Sequence, residues 1–387
     1  MAIDNELFSD DQESELGQVS PQSFSQAVVY SSDWTTETLM SQLDRGNIAI
    51  KPRFQRRDAW TIPRKSQFVE SLLLGLPIPQ IVLAEQKGER GRYIVLDGKQ
   101  RLLTLQQFTG RSDGPNNSYK LTQLEVRGDL NGKGYADLIS NPGLAQDRNA
   151  FENQVIRTVV IRGWADSDFL HMVFVRLNTG SVSLSPQELR QALVPGPFVD
   201  FIDDKSSESK GLQKLLGLDG PDFRMRDAEL LVRFMAFKFF VQDYRGNLKK
   251  FLDDACSQLN LAWKERQQEV EQSLSDFEQA VESLYAVFGD SAGRKYNKDA
   301  PERRLNRAVL DVQAYYFCQP AIRAAALAHS EKIKTAFRNL CVDNAEFRGA
   351  IERTTKSIEA TSSRFNLMGQ MLTQVLGVQV PIPTIGD

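Results

Sequence analysis

Histidine is nearly missing from this chain: of 387 residues only His171 and His329 are of that type, and only Cys256, Cys318 and Cys341 are cysteine. Two isolated histidines exclude a multi-histidine metal hydrolase and supply too few ligands for a histidine-based metal nuclease. Three scattered cysteines build neither a disulfide framework nor a four-cysteine zinc site. No run approaches the roughly 18 to 20 apolar residues of a membrane span, and the acidic start lacks a cationic signal peptide, so the expected location is cytoplasmic with no membrane partner. A strong charge of one sign is also lacking, because 47 Lys and Arg face 50 Asp and Glu, for a formal net charge of -3. The total therefore does not by itself point to a polyanion.

What is present is ordinary in amount and informative in arrangement. Hydrophobic residues make up 41% and charged residues 25%, the balance of a soluble globular chain, and the length predicts two or three domains. Residues 1–16 carry Asp4, Glu6, Asp10, Asp11, Glu13 and Glu15 without a base, which predicts a solvated acidic arm over residues 1–24. Residues 51–65 reverse the sign: Lys51, Arg53, Arg56, Arg57, Arg64 and Lys65 face only Asp58, with Phe54 and Trp60 interleaved.

Local patterns predict an α+β domain over 25–200 and an all-helical domain over 215–380, divided between Pro195 and Pro221. Thr35 to Leu43 reads as a short helix and Ile48 to Ile50 as a short strand. Phe68, Leu72 and Leu76, with Val69 and Leu73 beside them, mark an amphipathic helix stopped by Gly75, Pro77 and Pro79. Gln80 to Glu85 and Arg92 to Leu96 form a hairpin pattern around Gly88-Glu89-Arg90-Gly91. Gly110 to Asn149 reads as irregular, and Val155 to Arg162 as a strand. A helix led by Ser167 ends at Asn178-Thr179-Gly180, and Ser185-Pro186-Gln187-Glu188 is a full capping box. Beyond residue 222 helices dominate, over Glu229 to Val241, Leu248 to Leu259, Trp263 to Phe288 and Leu305 to Leu327.

Three segments could carry chemistry. The turn Asp97-Gly98 leads into a helix whose start combines unpaired amides with Lys99 and Arg101, an arrangement that favours an anion such as phosphate. Arg101 offers a planar fork, and Asp97 could hold a metal ion or orient an arginine or water. The ordinary alternative is a capped turn with solvated bases. In Pro52-Arg53-Phe54-Gln55-Arg56-Arg57, adjacent guanidinium groups and an amide could clamp phosphates while Trp60 stacks on a base; otherwise it is a basic loop that packs its aromatics. Arg176 with Asn178-Thr179-Gly180 could join such a site, or could simply end a helix.

Taken together and in order, these segments resemble one family. Pro52 to Trp60, Glu70-Ser71-Leu72-Leu73-Leu74-Gly75-Leu76-Pro77-Ile78-Pro79, Asp97-Gly98-Lys99-Gln100-Arg101, Phe174 to Gly180 and Leu184 to Arg190 look like the N-terminal domain of GmrSD-type modification-dependent restriction enzymes, a family with a ParB/sulfiredoxin-like fold. Met225 to Glu229 and Tyr244 to Leu252 look like its helical extension. The resemblance implies a nucleotide-binding, NTP-hydrolysing component of prokaryotic DNA defence. Its cofactors would be a nucleoside triphosphate and Mg2+, and its DNA would include modified phage DNA. By position, Asp97, Gln100 and Arg101 would be catalytic, with Asp97 also the metal ligand. Gln55, Arg56, Arg57, Gly98, Lys99, Arg176 and Asn178 would bind the nucleotide. Lys99 departs from the family's usual glutamine, and no histidine-dependent nuclease can be built, so cleavage would need a separate nuclease or effector protein; a homo-oligomer is compatible with the pattern. The alternatives are a non-catalytic DNA-binding or adaptor module and a direct ParB-like nuclease.

Overall fold

The computed structural model describes residues 26–48, 50, 58–111, 118–177, 185–298, 300–353 and 355–386. The expected acidic arm and the sites expected at Gln55, Arg56, Arg57 and Asn178 lie outside the described residues. The protein is mixed α+β, with a small sheet near its N-terminus and helices in its C-terminal part. It divides into two units, Leu16–Leu193 and Val194–Asp387.

In the first unit the order is β1 (Val28–Thr35), α1 (Thr36–Asp44), α2 (Ile62–Leu73), β2 (Ile81–Glu85), β3 (Tyr93–Asp97), α3 (Lys99–Phe108), α4 (Tyr135–Ser140), α5 (Ala145–Asn153), β4 (Val155–Arg162), α6 (Ser167–Leu177) and α7 (Pro186–Leu193). The strands form one sheet in the order β1-β4-β2-β3. The β2–β3 pair is the antiparallel hairpin expected from sequence, β1 runs antiparallel to β4, and β4 runs parallel to β2. Period-two alternation gives the sheet two apolar faces. Ile81, Leu83, Tyr93, Val95, Ile156 and Val160 pack on one side with Leu39, Val69, Leu72, Leu102 and Phe108. Val82, Ala84, Ile94, Leu96 and Ile161 pack on the other with Phe169, Leu170, Phe174 and Leu189. Each fully buried Leu, Ile or Phe here stabilises the fold by roughly 1.5–3 kcal/mol.

Several local expectations need correction. Of the short strand expected over Ile48 to Ile50, Ile48 makes a single bridge to Tyr93 and Ala49 lies outside the described residues. The stretch 110–149 is less irregular than its composition predicts, since α4 and the first half of α5 lie in it. The apolar side of these short helices is held by the Phe108, Tyr135 and Phe151 rings, 5.3–5.9 Å apart. Glu70 of α2 ties down the same stretch: its carboxylate accepts from the amides of Glu125, Val126 and Arg127 at 3.1, 2.8 and 2.7 Å.

The second unit runs α8 (Pro197–Glu208), α9 (Lys210–Leu216), α10 (Arg226–Phe240), α11 (Leu248–Leu261), α12 (Trp263–Phe288), the ribbon β5 (Tyr296–Asn297) and β6 (Ala300–Pro301), α13 (Arg307–Phe317), α14 (Pro320–Ala328), α15 (Ser330–Asp343), α16 (Ala345–Glu352) and α17 (Ile358–Leu376). The single helix expected over Leu305 to Leu327 is two helices, because Pro320 lacks an amide donor and starts α14 at its first position. Phe234, Phe237, Phe277, Val281, Leu284 and Phe288 are buried as their spacing predicts. Between them lies a charged core: Arg233 holds Asp311 through two bonds of 3.0 and 2.6 Å, and Arg307 pairs with Glu229 at 2.9 Å.

Candidate functional site

The site is built at the C-terminal end of β3. Asp97 is the last strand residue, and Gly98 turns the chain with φ +98°, a left-handed conformation that side chains oppose. A Cβ at Gly98 would also sit 3.0 Å from Ile81 Cγ1 and 3.4 Å from Arg101 Nε. Glycine is therefore needed twice over, for the backbone angle and for the close approach of β2. As the N-cap it brings no side-chain acceptor, so the first turn of α3 carries no side-chain cap.

Each of the next three residues is tied to a different segment. Lys99 Nζ donates to Glu188 Oε1 at 2.5 Å, and both side chains are buried. Gln100 Oε1 accepts from the Ala59 amide at 3.3 Å. Arg101 donates through Nη2 to Asp97 Oδ2 at 2.7 Å and through Nη1 to the Pro79 carbonyl at 3.1 Å, fastening the end of β3 to the turn before β2. Glu188 is held in turn by its capping box: Oε2 accepts from the Ser185 amide at 2.6 Å, and Ser185 Oγ accepts from the Glu188 amide at 3.1 Å.

Thus the first turn of α3 gathers the segment that starts at Asp58 and the segment that starts α7. Arg57 is the residue before Asp58 in sequence, and Asp58 anchors this neighbourhood by accepting from Lys65 Nζ, from Gln107 Nε2 at 3.0 Å and from the Trp60 amide at 3.1 Å. Burial, together with the nearby Asp58 carboxylate, pushes the Tyr119 hydroxyl well above its ordinary range. Trp60 is half-buried. Its ring packs edge-on to Phe68 at 5.8 Å under the Arg64 guanidinium at 5.0 Å. Arg176 sits exposed in the last turn of α6.

The electrostatics differ from those of an open basic site. Lys99 and Arg101 are each offset by a carboxylate, Glu188 and Asp97, and of these the sequence offers only Asp97 as a partner for an arginine. The signal for Glu188 was in the sequence only as a capping residue, and that for Asp58 only as the lone acid in a basic stretch. Among the described residues no three His, Cys, Asp or Glu side chains gather as a metal site. Asp97 alone could serve Mg2+ only where nucleotide phosphates and water completed the coordination. His171 is buried against Phe174, with ring centroids 6.1 Å apart, and His329 contacts the Ala325 carbonyl at 3.0 Å.

A glycine-turned strand end, an uncapped helix start and a capping-box helix joined through one buried ion pair lie within a stretch of known pattern. Residues 36–195 match the family model of the GmrSD restriction endonuclease, N-terminal domain. The GmrSD match opens with α1 and closes two residues beyond α7, so every side chain of the α3 site falls inside it. No curated protein matches the chain. Among the described residues no helix is long and apolar enough to cross a membrane.

Proposed function

We propose that the protein is a nucleotide-binding, NTP-hydrolysing component of a DNA restriction system, acting on DNA that includes modified phage DNA and relying on a separate nuclease for cleavage. The observation that carries this reading is the convergence on the first turn of α3, where Ala59 bonds Gln100 and Glu188 bonds Lys99. An uncapped helix start favours a phosphate through its amides and dipole. Arg56 and Arg57, just upstream of Asp58 in sequence, would add the positive charge that Lys99 and Arg101 do not offer while paired, and Gln55 would add an amide. Asp97, steadied by Arg101, would hold Mg2+ or a water beside the phosphates. The ion supplies charge stabilisation when bound.

One observation favours a second reading. Both cations of the turn are already neutralised inside the protein, as in a structural hub, so the domain could serve as a non-catalytic DNA-binding or adaptor module. Phosphate release from a panel of nucleoside triphosphates, with and without magnesium and DNA, separates the two. The proposal expects release that is lost in Asp97→Asn while the variant remains folded. No binding of any nucleotide by the folded protein would leave the adaptor reading in its place.

A further inference from the structure

In the helical unit Lys205, Lys238, Lys249 and Lys250 each pair with a carboxylate at 2.8–3.0 Å. The ribbon between α12 and α13 is different. Residues 294–307 hold Arg294, Lys295, Lys298, Arg303, Arg304 and Arg307 against Asp299 and Glu302. Lys295 is nearly buried and spans Glu302 at 3.2 Å and Glu352 at 2.9 Å, so it removes the neighbouring acid from competition. Arg307 is turned inward to Glu229.

The remaining bases face outward on a prearranged frame. Arg294 donates to the carbonyls of Ala292 at 2.9 Å and Arg303 at 3.1 Å, bracing the two arms of the ribbon. Lys298 occupies the turn with φ +58°, and it is exposed, as are Arg303 and Arg304. The surface continues onto α9 and α12, where Lys214 Nζ lies 3.8 Å from the Tyr285 ring centroid and Tyr285 lies beside Arg294. Among the described residues none of Lys214, Arg294, Lys298, Arg303 and Arg304 has a carboxylate ion-pair partner. Leaving several cations together without counter-charge costs stability through mutual repulsion, a cost that a polyanion repays.

We propose that this ribbon, with Lys298, Arg303, Arg304 and Lys214, is a docking surface for the phosphate backbone of duplex DNA. The inference rests on the restriction reading for the identity of the polyanion and adds where the helical unit holds it. Phosphate contacts of this kind position a duplex without reading its sequence. A membrane surface fits less well, since the exposed neighbours Asn297, Ala300 and Pro301 offer no large apolar side chain to insert.

The test measures binding of the full chain to a short labelled duplex across a salt series, without nucleotide. Lys298→Glu/Arg303→Glu/Arg304→Glu should weaken binding at least tenfold, and the slope of log affinity against log salt should become shallower by about 2 to 3, at roughly 0.9 per lost phosphate contact. The milder Arg303→Gln/Arg304→Gln should move both quantities the same way, with both variants melting like the wild type. A folded variant that binds the duplex with unchanged affinity and slope overturns the proposal, as does wild-type binding to anionic vesicles or polyglutamate but not to the duplex. Phosphate release, measured separately, keeps the two ideas apart. Its absence with the ribbon effect intact removes only the nucleotide reading, whereas duplex binding untouched by the ribbon variants removes only the ribbon.

Discussion

Glu188 holds Lys99 with one carboxylate oxygen and closes the capping box of its own helix with the other, at 2.5 and 2.6 Å. One side chain therefore couples the start of α7 to the turn after β3. Breaking a buried pair from one side leaves its partner desolvated and uncompensated, which costs about 3–5 kcal/mol. Glu188→Ala should lie in that range in urea denaturation. A Lys99→Met/Glu188→Gln cycle should give a coupling above ~1 kcal/mol. Additive losses would show that the two side chains do not act together.

Gly98→Ala should destabilise the first unit by about 1–3 kcal/mol, because alanine resists a positive φ and its methyl group would press on Ile81. Thermal melting reads the loss directly. An unchanged melting temperature would mean that β2 and β3 can move apart at no cost.

Arg101 should behave as a fastening as well as a ligand group. Arg101→Ala removes a charge-assisted bond to Asp97 and the bond to Pro79, an expected loss of roughly 1.5–3 kcal/mol of stability. Asp97→Asn keeps the shape and should reduce phosphate release more than nucleotide affinity. Lower melting temperatures in both variants with full ligand affinity would assign the pair to structure alone.

Glu70 predicts a pH dependence. Burial acts to raise its carboxyl pKa, but the three amides from Arg127, Val126 and Glu125 and the Arg127 charge outweigh burial and hold it below the ordinary carboxylate value. A carboxyl lowered on folding contributes stability that is present above its unfolded pKa and is lost as pH falls through the folded one. Glu70→Gln should therefore cost about 1.5–3 kcal/mol at neutral pH, where charged acceptors are worth most. Urea titrations should show this gap shrinking below the ordinary Glu range. A gap independent of pH would assign the effect to shape.

Much of the architecture was legible where short-range chemistry decides it. The strand Val155–Arg162 and the helix Trp263–Phe288 have the ends that their patterns predict, and the reciprocal Ser185–Glu188 bonds follow from a four-residue motif. Strand β1 was missed, because it is an exposed edge whose pairing partner, β4, lies more than a hundred residues away. Helices α4 and α5 were missed for a related reason: only Tyr135, Leu138 and Phe151 are buried in them, too few for a periodic signal.

The candidate site divides in the same way. The sequence by itself determined that Asp97-Gly98 is a turn, that a helix follows it, and that Lys99, Gln100 and Arg101 fall in its first turn, since these depend on backbone angles and residues a few positions apart. Only the tertiary structure decided that Glu188 neutralises Lys99, that Ala59 meets Gln100, and that Asp58 gathers Lys65 and Gln107. The charge a residue presents depends on what approaches it within a few ångströms, and across 89 positions of chain that approach is set by how the sheet and its two helical layers pack.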